Sequence, residues 1–206
     1  YTEMGGTVGV ANKLYQSSVA LGNWTNQDAT LVLDATSIPF ADGGTNFVAD
    51  EAAGGTLHLE EVGDLGTTYR VKSNAVTAGS VTTMQLEDGV TVVNAVTANA
   101  VTFIKNPWKD IIAKPGSDQT ALVVGVTPSV IANGDWGWCQ TRGVGSCLLD
   151  GTVIIGQEVR PSETVAGAVS ELDYNAGSAV EDNGPVGRVV EVAPTADFGL
   201  IFFTVE

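Results

Sequence analysis

The chain has 206 residues and a net charge of −15, and 44% of its residues are hydrophobic whereas only 16% are charged. A surface of this sign repels nucleic-acid phosphates and anionic lipid head groups, so the composition argues against both partners. No run approaches the roughly eighteen apolar residues that a transmembrane helix needs, so we predict no membrane partner.

The first segment, Tyr1–Gly22, combines apolar side chains with glycines that discourage a stable helix. We therefore predict an attachment arm that becomes ordered only on a partner surface, so that its deletion would leave the folded body intact. The candidate contact residues of this arm are Val8, Val10, Leu14, Tyr15, Val19 and Leu21.

Beyond this segment, short runs rich in valine and threonine alternate with pairs that favour tight turns. The turn pairs are Asp42-Gly43, Asp88-Gly89, Asn133-Gly134, Asp150-Gly151 and Asn183-Gly184. This spacing predicts an all-β sandwich or barrel of many short antiparallel strands, with little helix. The predicted strands are Thr30–Leu33, Thr56–Glu61, Thr67–Lys72, Ser80–Leu86, Val90–Val93, Ala100–Ile104, Ala121–Val126, Trp136–Thr141, Ser146–Leu149, Thr152–Ile155, Gly167–Ser170, Val186–Val192 and Leu200–Val205.

Two segments, 47–53 and 105–113, could each form one short helical turn. A Pro115-Gly116 break lies between the more mixed first half and a more acidic second half that has no lysine. We therefore predict an N-terminal arm and β region over residues 1–115 and a C-terminal β-barrel or sandwich over residues 116–206. The alternative is one continuous body.

Catalytic patterns are missing from the sequence. His58 is the only histidine, so a serine-histidine-aspartate triad would have to use it, and no G-x-S-x-G elbow supplies the nucleophile. Paired acids could serve a glycosidase, and the oxygen-rich turn 42–46 could hold calcium, but both patterns are common in solvated loops. We predict that the protein is not an enzyme and has no catalytic, cofactor-binding or metal-binding residues.

The two cysteines, Cys139 and Cys147, flank a glycine-rich segment. If a turn is centred on Gly143, the two side chains face each other on neighbouring strands of a hairpin. A disulfide is then one possibility, and a pair of buried thiols is the other. Because no export signal is visible, we favour the thiols.

The segments YRVKSN (Tyr69–Asn74) and WGWCQTRG (Trp136–Gly143) carry a resemblance to a known group of proteins. They resemble head-associated virion proteins of tailed phages of aquatic bacteria, which have a strand-turn of the form GW-x-Q-x-x-G. The matching residues are Gly137, Trp138, Gln140 and Gly143. The second half of the chain also looks like the small β-barrel decoration, or cement, proteins of phage capsids. Cys139 departs from the pattern, since an aliphatic residue is expected there.

The resemblance implies a structural protein on the outer surface of the virion capsid. Its implied partners are the major capsid protein and its own copies, most often as a homotrimer, without catalytic residues. One alternative is a carbohydrate-binding β-sandwich of a tail fibre or cell surface, and another is a secreted hydrolase that uses His58 or a carboxylate pair. Exposed tryptophans beside a groove would favour sugar binding, but we predict that Trp138 and Ile154 face a core. The four tryptophans are Trp24, Trp108, Trp136 and Trp138.

Overall fold

The computed structural model describes residues 1–19, 24–44, 46–60, 66–172 and 184–205, with the backbone alone for 96–100. The chain divides into two compact units. The central unit is Ala20–Asn106, and the terminal unit combines Tyr1–Val19 with Pro107–Glu206. This division differs from the predicted boundary at residues 115 and 116, because strand pairing joins the beginning of the chain to its second half.

The described residues form sixteen short strands and almost no helix, which confirms the all-β prediction. No helix in this described part is long and apolar enough to cross a membrane. In chain order the strands are β1 (Thr2–Glu3), β2 (Leu14–Gln16), β3 (Gln27–Leu31), β4 (Ser37–Ala41), β5 (Thr56–Leu59), β6 (Thr68–Asn74), β7 (Val81–Leu86), β8 (Val96–Ile104), β9 (Ile112–Ala113), β10 (Val123–Val126), β11 (Trp136–Gly137), β12 (Arg142–Leu149), β13 (Glu158–Pro161), β14 (Ala168–Glu171), β15 (Gly187–Glu191) and β16 (Phe198–Thr204).

The central unit is a closed barrel of six strands in the order β3-β4-β7-β6-β5-β8. All neighbouring strands that the register defines run antiparallel. Strict alternation explains β6, since Tyr69 and Val71 point into the barrel whereas Arg70 and Lys72 point outward. Closure leaves no unpaired strand edge in this barrel.

Aromatic side chains fill the core of the central barrel. The ring of Trp24 stacks on Phe47, with centroids 4.8 Å apart, and Phe103 contacts both of them edge-on. A Cβ atom at Gly55 would lie 2.6 Å from Cε2 of Phe103, so a glycine is needed for this packing. The large rings therefore set the spacing of the surrounding backbone.

The terminal unit contains a second closed barrel, in the order β12-β14-β13-β15-β16. The pairing of β12 with β14 is parallel, and the other four pairs are antiparallel, as predicted for most strands. Its core combines Leu14, from the beginning of the chain, with residues of the second half that include Cys147, Ile201 and Phe203. Two smaller sheets complete the unit, β10-β2-β9 and β1-β11.

Four of the five predicted turn pairs have the expected backbone. Gly43, Gly89, Gly134 and Gly151 all have positive φ, a conformation that glycine adopts without steric cost. Asn183 of the fifth pair lies outside the described residues.

Several local predictions are wrong. Segments 47–53 and 105–113 form turns and, in the second, β9, because an aspartate with positive φ interrupts each of them, at positions 50 and 110. Val90–Val93 and Thr152–Ile155 are not strands. Each of these two apolar runs instead sends one valine into a core and leaves its neighbours exposed.

Candidate functional site

An exposed cluster of three aromatic rings lies on the terminal unit, and we call Tyr1, Trp136 and Trp138 the aromatic cluster. The ring of Tyr1 is stacked with Trp136 at 5.5 Å between centroids and 13° between planes, and it meets Trp138 edge-on, also at 5.5 Å. The exposed fractions are 64% for Tyr1, 45% for Trp136 and 70% for Trp138. Large apolar rings exposed together are unusual in a folded protein and mark an interaction surface.

Strand alternation explains why these rings share one face. The short antiparallel ladder pairs Thr2 with Gly137 and Glu3 with Trp136, which brings Tyr1 opposite Trp138. Thr2 is fully buried, so the residues on either side of it point outward. The sequence Trp-Gly-Trp therefore presents two indoles to solvent with a glycine between them on the inner face.

The inner face at Gly137 is closely packed. A Cβ atom there would lie 2.4 Å from Cδ1 of Ile131, which is itself buried. The strand can approach the small core of Met4, Tyr15, Ile111 and Val124 only because this position has no side chain. The packing of Gly137 thus fixes the orientation of the indoles on either side of it.

Gln140 and Gly143, the other residues of the motif, stabilise the start of β12. The side-chain amide of Gln140 donates hydrogen bonds to the carbonyl oxygens of Arg142, at 3.2 Å, and Val144, at 3.0 Å. Gly143 has a φ of +91°, which a residue with a side chain would adopt only with strain. Of the four motif residues, Trp138 is the one whose side chain extends into solvent.

The prediction that Trp138 and Ile154 face a core is wrong. Trp138 belongs to the aromatic cluster, and Ile154 is 61% exposed. The alternation was assigned in the wrong phase, because Gly137 and Val153 are the residues that point inward. Trp24 is in the central core, and Trp108 is partly exposed beside β1, where its carbonyl oxygen accepts a hydrogen bond from the amide of Glu3.

The predicted attachment arm is part of the folded terminal unit. Leu14 and Tyr15 are buried in its two cores, and β2 lies between β10 and β9. The hydroxyl of Tyr15 also accepts a hydrogen bond from the amide of Val10, at 2.7 Å. This arrangement contradicts the prediction that the segment has no stable structure within the chain. Val8, Val10 and Val19 are exposed and available to a partner, whereas Leu21 lies outside the described residues.

The two cysteines are free thiols in different cores, so the predicted hairpin register is wrong. Gly143 lies within β12, and that strand pairs with β16 and β14. Burial raises the pKa of Cys139 to about 12, although the positive chain terminus opposes the shift. Burial likewise raises the pKa of Cys147 to about 12. Neither thiol is suited to act as a nucleophile near neutral pH.

His58 lies half-buried on β5, and its cross-strand partners are Thr68 and Thr102. The hydroxyl of Thr102 donates to the carboxylate of Glu60 at 2.8 Å, so it is not directed at the imidazole. Within the described ranges, His58 forms no side-chain hydrogen bond to a nucleophile or a carboxylate. The alternative of a hydrolase that uses His58 therefore has no geometric support among the described residues.

Asp42, the first residue of the turn considered for calcium, is buried and saturated with hydrogen-bond donors. Its carboxylate accepts hydrogen bonds from Thr77 at 2.7 Å, from the amide of Gly44 at 2.9 Å and from Thr82 at 3.2 Å. Burial acts to raise the pKa of this carboxyl, but these bonds and one from the amide of Asn46 lower it overall. The arrangement stabilises the turn and leaves the oxygens committed to protein donors, which does not suit calcium.

Lys114 is a buried cation with a structural role. Its ammonium group donates to the carbonyl oxygens of Ser117 and Ser162. Burial lowers the pKa of Lys114, while the nearby carboxylate of Glu163 acts in the opposite direction. The side chain thereby connects the loop after β9 to the loop after β13. Among the described residues, no group of three or more metal-ligating side chains occurs.

Comparisons with models of protein families, with curated proteins and with solved structures found no match to this chain. The aromatic cluster on the terminal unit is therefore the feature of this chain that indicates a function. The pattern Trp-Gly-Trp in a short strand could have indicated the aromatic cluster in advance, because residues two apart in a strand share a face.

Proposed function

We propose that this protein is a structural decoration protein on the outside of a tailed-phage head, where it binds the major capsid protein through the aromatic cluster. The observation that carries the proposal is the joint exposure of Tyr1, Trp136 and Trp138 on one face. The resemblance of residues 136–143 to head-associated virion proteins supports the same role. Of the four motif residues, Trp138 is the one whose side chain faces solvent, and it belongs to this cluster.

The physical basis is the large apolar area of aromatic rings combined with few rotatable bonds. Tyrosine and tryptophan dominate the binding energy of many interfaces, since burying them costs little conformational entropy. In this chain the rings are already held against one another, so binding would order them only slightly further. The net charge of −15 fits the exterior of a head better than the DNA-facing interior.

The proposed action is mechanical. A closed barrel resists deformation because every strand edge is paired, and the described part of this chain contains two such barrels. A rigid body that covers the junction between capsid subunits adds buried interface area and thereby spreads load. Self-association on the capsid, as the trimer predicted from the resemblance or as another oligomer, belongs to the same proposal.

Co-assembly with the major capsid protein encoded in the same genome tests the proposal. Shells formed by co-expression are purified by sedimentation, and bound protein is quantified and located by electron microscopy. We expect symmetric clusters of this chain on the outer surface, and we expect Trp138→Ala to weaken binding by at least about tenfold, which corresponds to the loss of one interface hot spot. The matched control is Val76→Ala, an exposed apolar position on the central unit.

Three results would contradict the proposal. One is wild-type protein that never co-sediments with shells, and a second is Trp138→Ala protein that binds as well as the Val76→Ala control. Density at the tip of a tail, with bare shells, would also overturn the decorating role.

Carbohydrate binding is the second candidate, and the same cluster favours it. Indole rings stack on the apolar faces of sugars, and the side chain of Glu3 shares the face of Trp136, where it could accept hydrogen bonds from sugar hydroxyls. A titration of phage-host surface polysaccharide, followed by tryptophan fluorescence, separates the candidates. A saturable change that Trp138→Ala abolishes would favour sugar binding, whereas an unchanged spectrum would exclude it for that polysaccharide.

A further inference from the structure

The outer face of the terminal barrel carries an apolar patch that is separate from the aromatic cluster in sequence. Strands β12 and β16 pair Val144 with Phe202, and both side chains point away from the barrel core. Phe198 and Leu200 lie on the same side of β16, and Val190 lies beside Leu200 at a bulge in β15. Phe202, Phe198 and Val190 are each more than 40% exposed, and Val144 is 53% exposed. We call these five residues the apolar face.

Charged side chains flank the apolar face with opposite signs at its two ends. Arg142 lies at one end of β12, and Arg188 is the cross-strand partner of Phe202. Glu191 pairs with Leu200, and Asp197 immediately precedes β16, so both acids lie toward the other end. Two of the nine basic residues of this acidic chain therefore lie at the first end, where Glu158 of β13 is ion-paired with Arg188, and two acids lie at the other end.

Association through strand edges is not available in this barrel, because β12, β14, β13, β15 and β16 close on one another. A partner must instead pack on the outer side of the sheet. A face that is basic at one end, apolar in the middle and acidic at the other end is complementary to a reversed copy of itself. We propose that the apolar face binds a second copy of this chain around a two-fold axis.

The register of the strands sets which residues meet. We place the two-fold axis in the interface, perpendicular to the strands. The strands of the second copy then run in the opposite direction, and β15 of one copy lies over β15 of the other. Arg188 and Glu191 lie on either side of the middle of the face, so each would approach the other residue of the second copy. Arg188 also forms an ion pair with Glu158 of its own barrel at 2.8 Å, and its side chain remains 65% exposed beside that contact. The contact between Arg188 of one copy and Glu191 of the other occurs twice by symmetry.

The central apolar residues supply the driving force in this arrangement. Phe202 of one copy would cover Leu200 of the other, and Val144 would lie over Ser146, which is the β12 residue paired with Leu200. Burial of these side chains removes apolar area from water, and the charges fix the direction of packing. This pairing differs from the trimer that the phage resemblance predicts.

Sedimentation of the full chain over a range of concentrations tests the pairing, with two single variants and their mixture. We expect the wild type to reach the mass of two copies. In Arg188→Glu, the new glutamate of each copy would face Glu191 of the other copy, so two acids would repel each other. In Glu191→Arg, the new arginine would face Arg188 of the other copy, so two bases would repel each other. Each variant alone is therefore expected to associate at least about tenfold more weakly. An equimolar mixture should recover the dimer, because acids on one copy then face arginines on the other.

The mixture distinguishes a broken interface from a damaged fold, since misfolded variants would not recover by mixing. The control Lys72→Glu changes the net charge as Arg188→Glu does, but on the central unit, and we expect it to associate like the wild type. Phe202→Glu should abolish pairing in all combinations.

Several results would overturn the two-fold contact. These are a wild type that stays monomeric at high concentration, a mass of three copies, single variants that pair normally, and a mixture that fails to recover while both variants are folded by circular dichroism. The proposed dimer contact rests on the proposed decorating role only in one respect: it would give a capsid-bound protein a second partner. Sedimentation needs no shell, whereas shell binding is read through Trp138, so the two proposals fail separately.

Discussion

Leu14→Ala measures how far the first residues of the chain belong to the folded core. Leu14 is fully buried among side chains of the terminal barrel, including Cys147 and Phe203, and its amide donates to the carbonyl oxygen of Gly167 at 2.8 Å. Removal of a buried leucine side chain costs about 2–5 kcal/mol, the transfer energy plus the energy of the cavity that remains. The rigid strand β2 cannot move inward to fill this cavity, because β10 and β9 hold it on both sides.

Urea denaturation followed by tryptophan fluorescence and circular dichroism provides the measurement, since a change in midpoint at constant slope reports stability. Val8→Ala is the matched control, because Val8 lies in the same segment but is 56% exposed, and we expect its effect to stay within about 0.5 kcal/mol. If Leu14→Ala lost less than about 1 kcal/mol, the segment would behave as a separate arm and our account of β2 would be refuted.

Three further predictions concern packing, pH and reactivity. Gly137→Ala should destabilise the protein by about 1–3 kcal/mol in the same denaturation assay, because the added methyl overlaps Ile131; an unchanged midpoint would contradict the close approach. The lowered pKa of Asp42 means that its ionised form stabilises the fold above the ordinary value of 3.8 and that this contribution is lost as pH falls through the folded-state pKa, so Asp42→Asn should melt with a weaker acid dependence than the wild type. Cys139 and Cys147 should resist alkylation at pH 8 until denaturant is added, and rapid labelling of the folded protein would contradict their burial.

Alternation and turn chemistry made most of the fold predictable. Segment Thr67–Lys72 was recognised because apolar and polar residues alternate in it, and β6 follows that pattern. The predicted strands do not include β4, Ser37–Ala41. Pro39 argues against a strand interior, yet its side chain is exposed and its neighbours Ile38 and Phe40 point inward. The predicted strands also do not include β13, Glu158–Pro161, which ends in a proline and is only four residues long.

The candidate site was harder to predict, because alternation gives a period but not a phase. Trp138 is predicted to face a core, and the average burial of tryptophan agrees with that prediction. At Gly137, a Cβ atom would lie only 2.4 Å from Cδ1 of Ile131, so this position must point inward and Trp138 must point outward. No local sequence pattern reveals this contact with Ile131. Both the assignment of Leu14 to an arm and that of Cys139 to a hairpin failed for the same reason: pairing partners distant in sequence determined the outcome.

The terminal unit thus presents two apolar surfaces that local rules did not predict and that the fold itself does not use. The aromatic cluster consists of rigid rings held against one another, which suits a strong contact with a large, fixed partner such as a shell. The apolar face carries opposite charges at its ends, which suits a weaker contact whose direction must be specified. Because the substitutions that disrupt one surface lie on different strands from the other, Trp138→Ala protein should still pair in solution, and Arg188→Glu protein should still bind shells as single copies. A protein that lost both properties through either substitution would have one shared interface, and the assignment of two separate roles to these surfaces would then have to be abandoned.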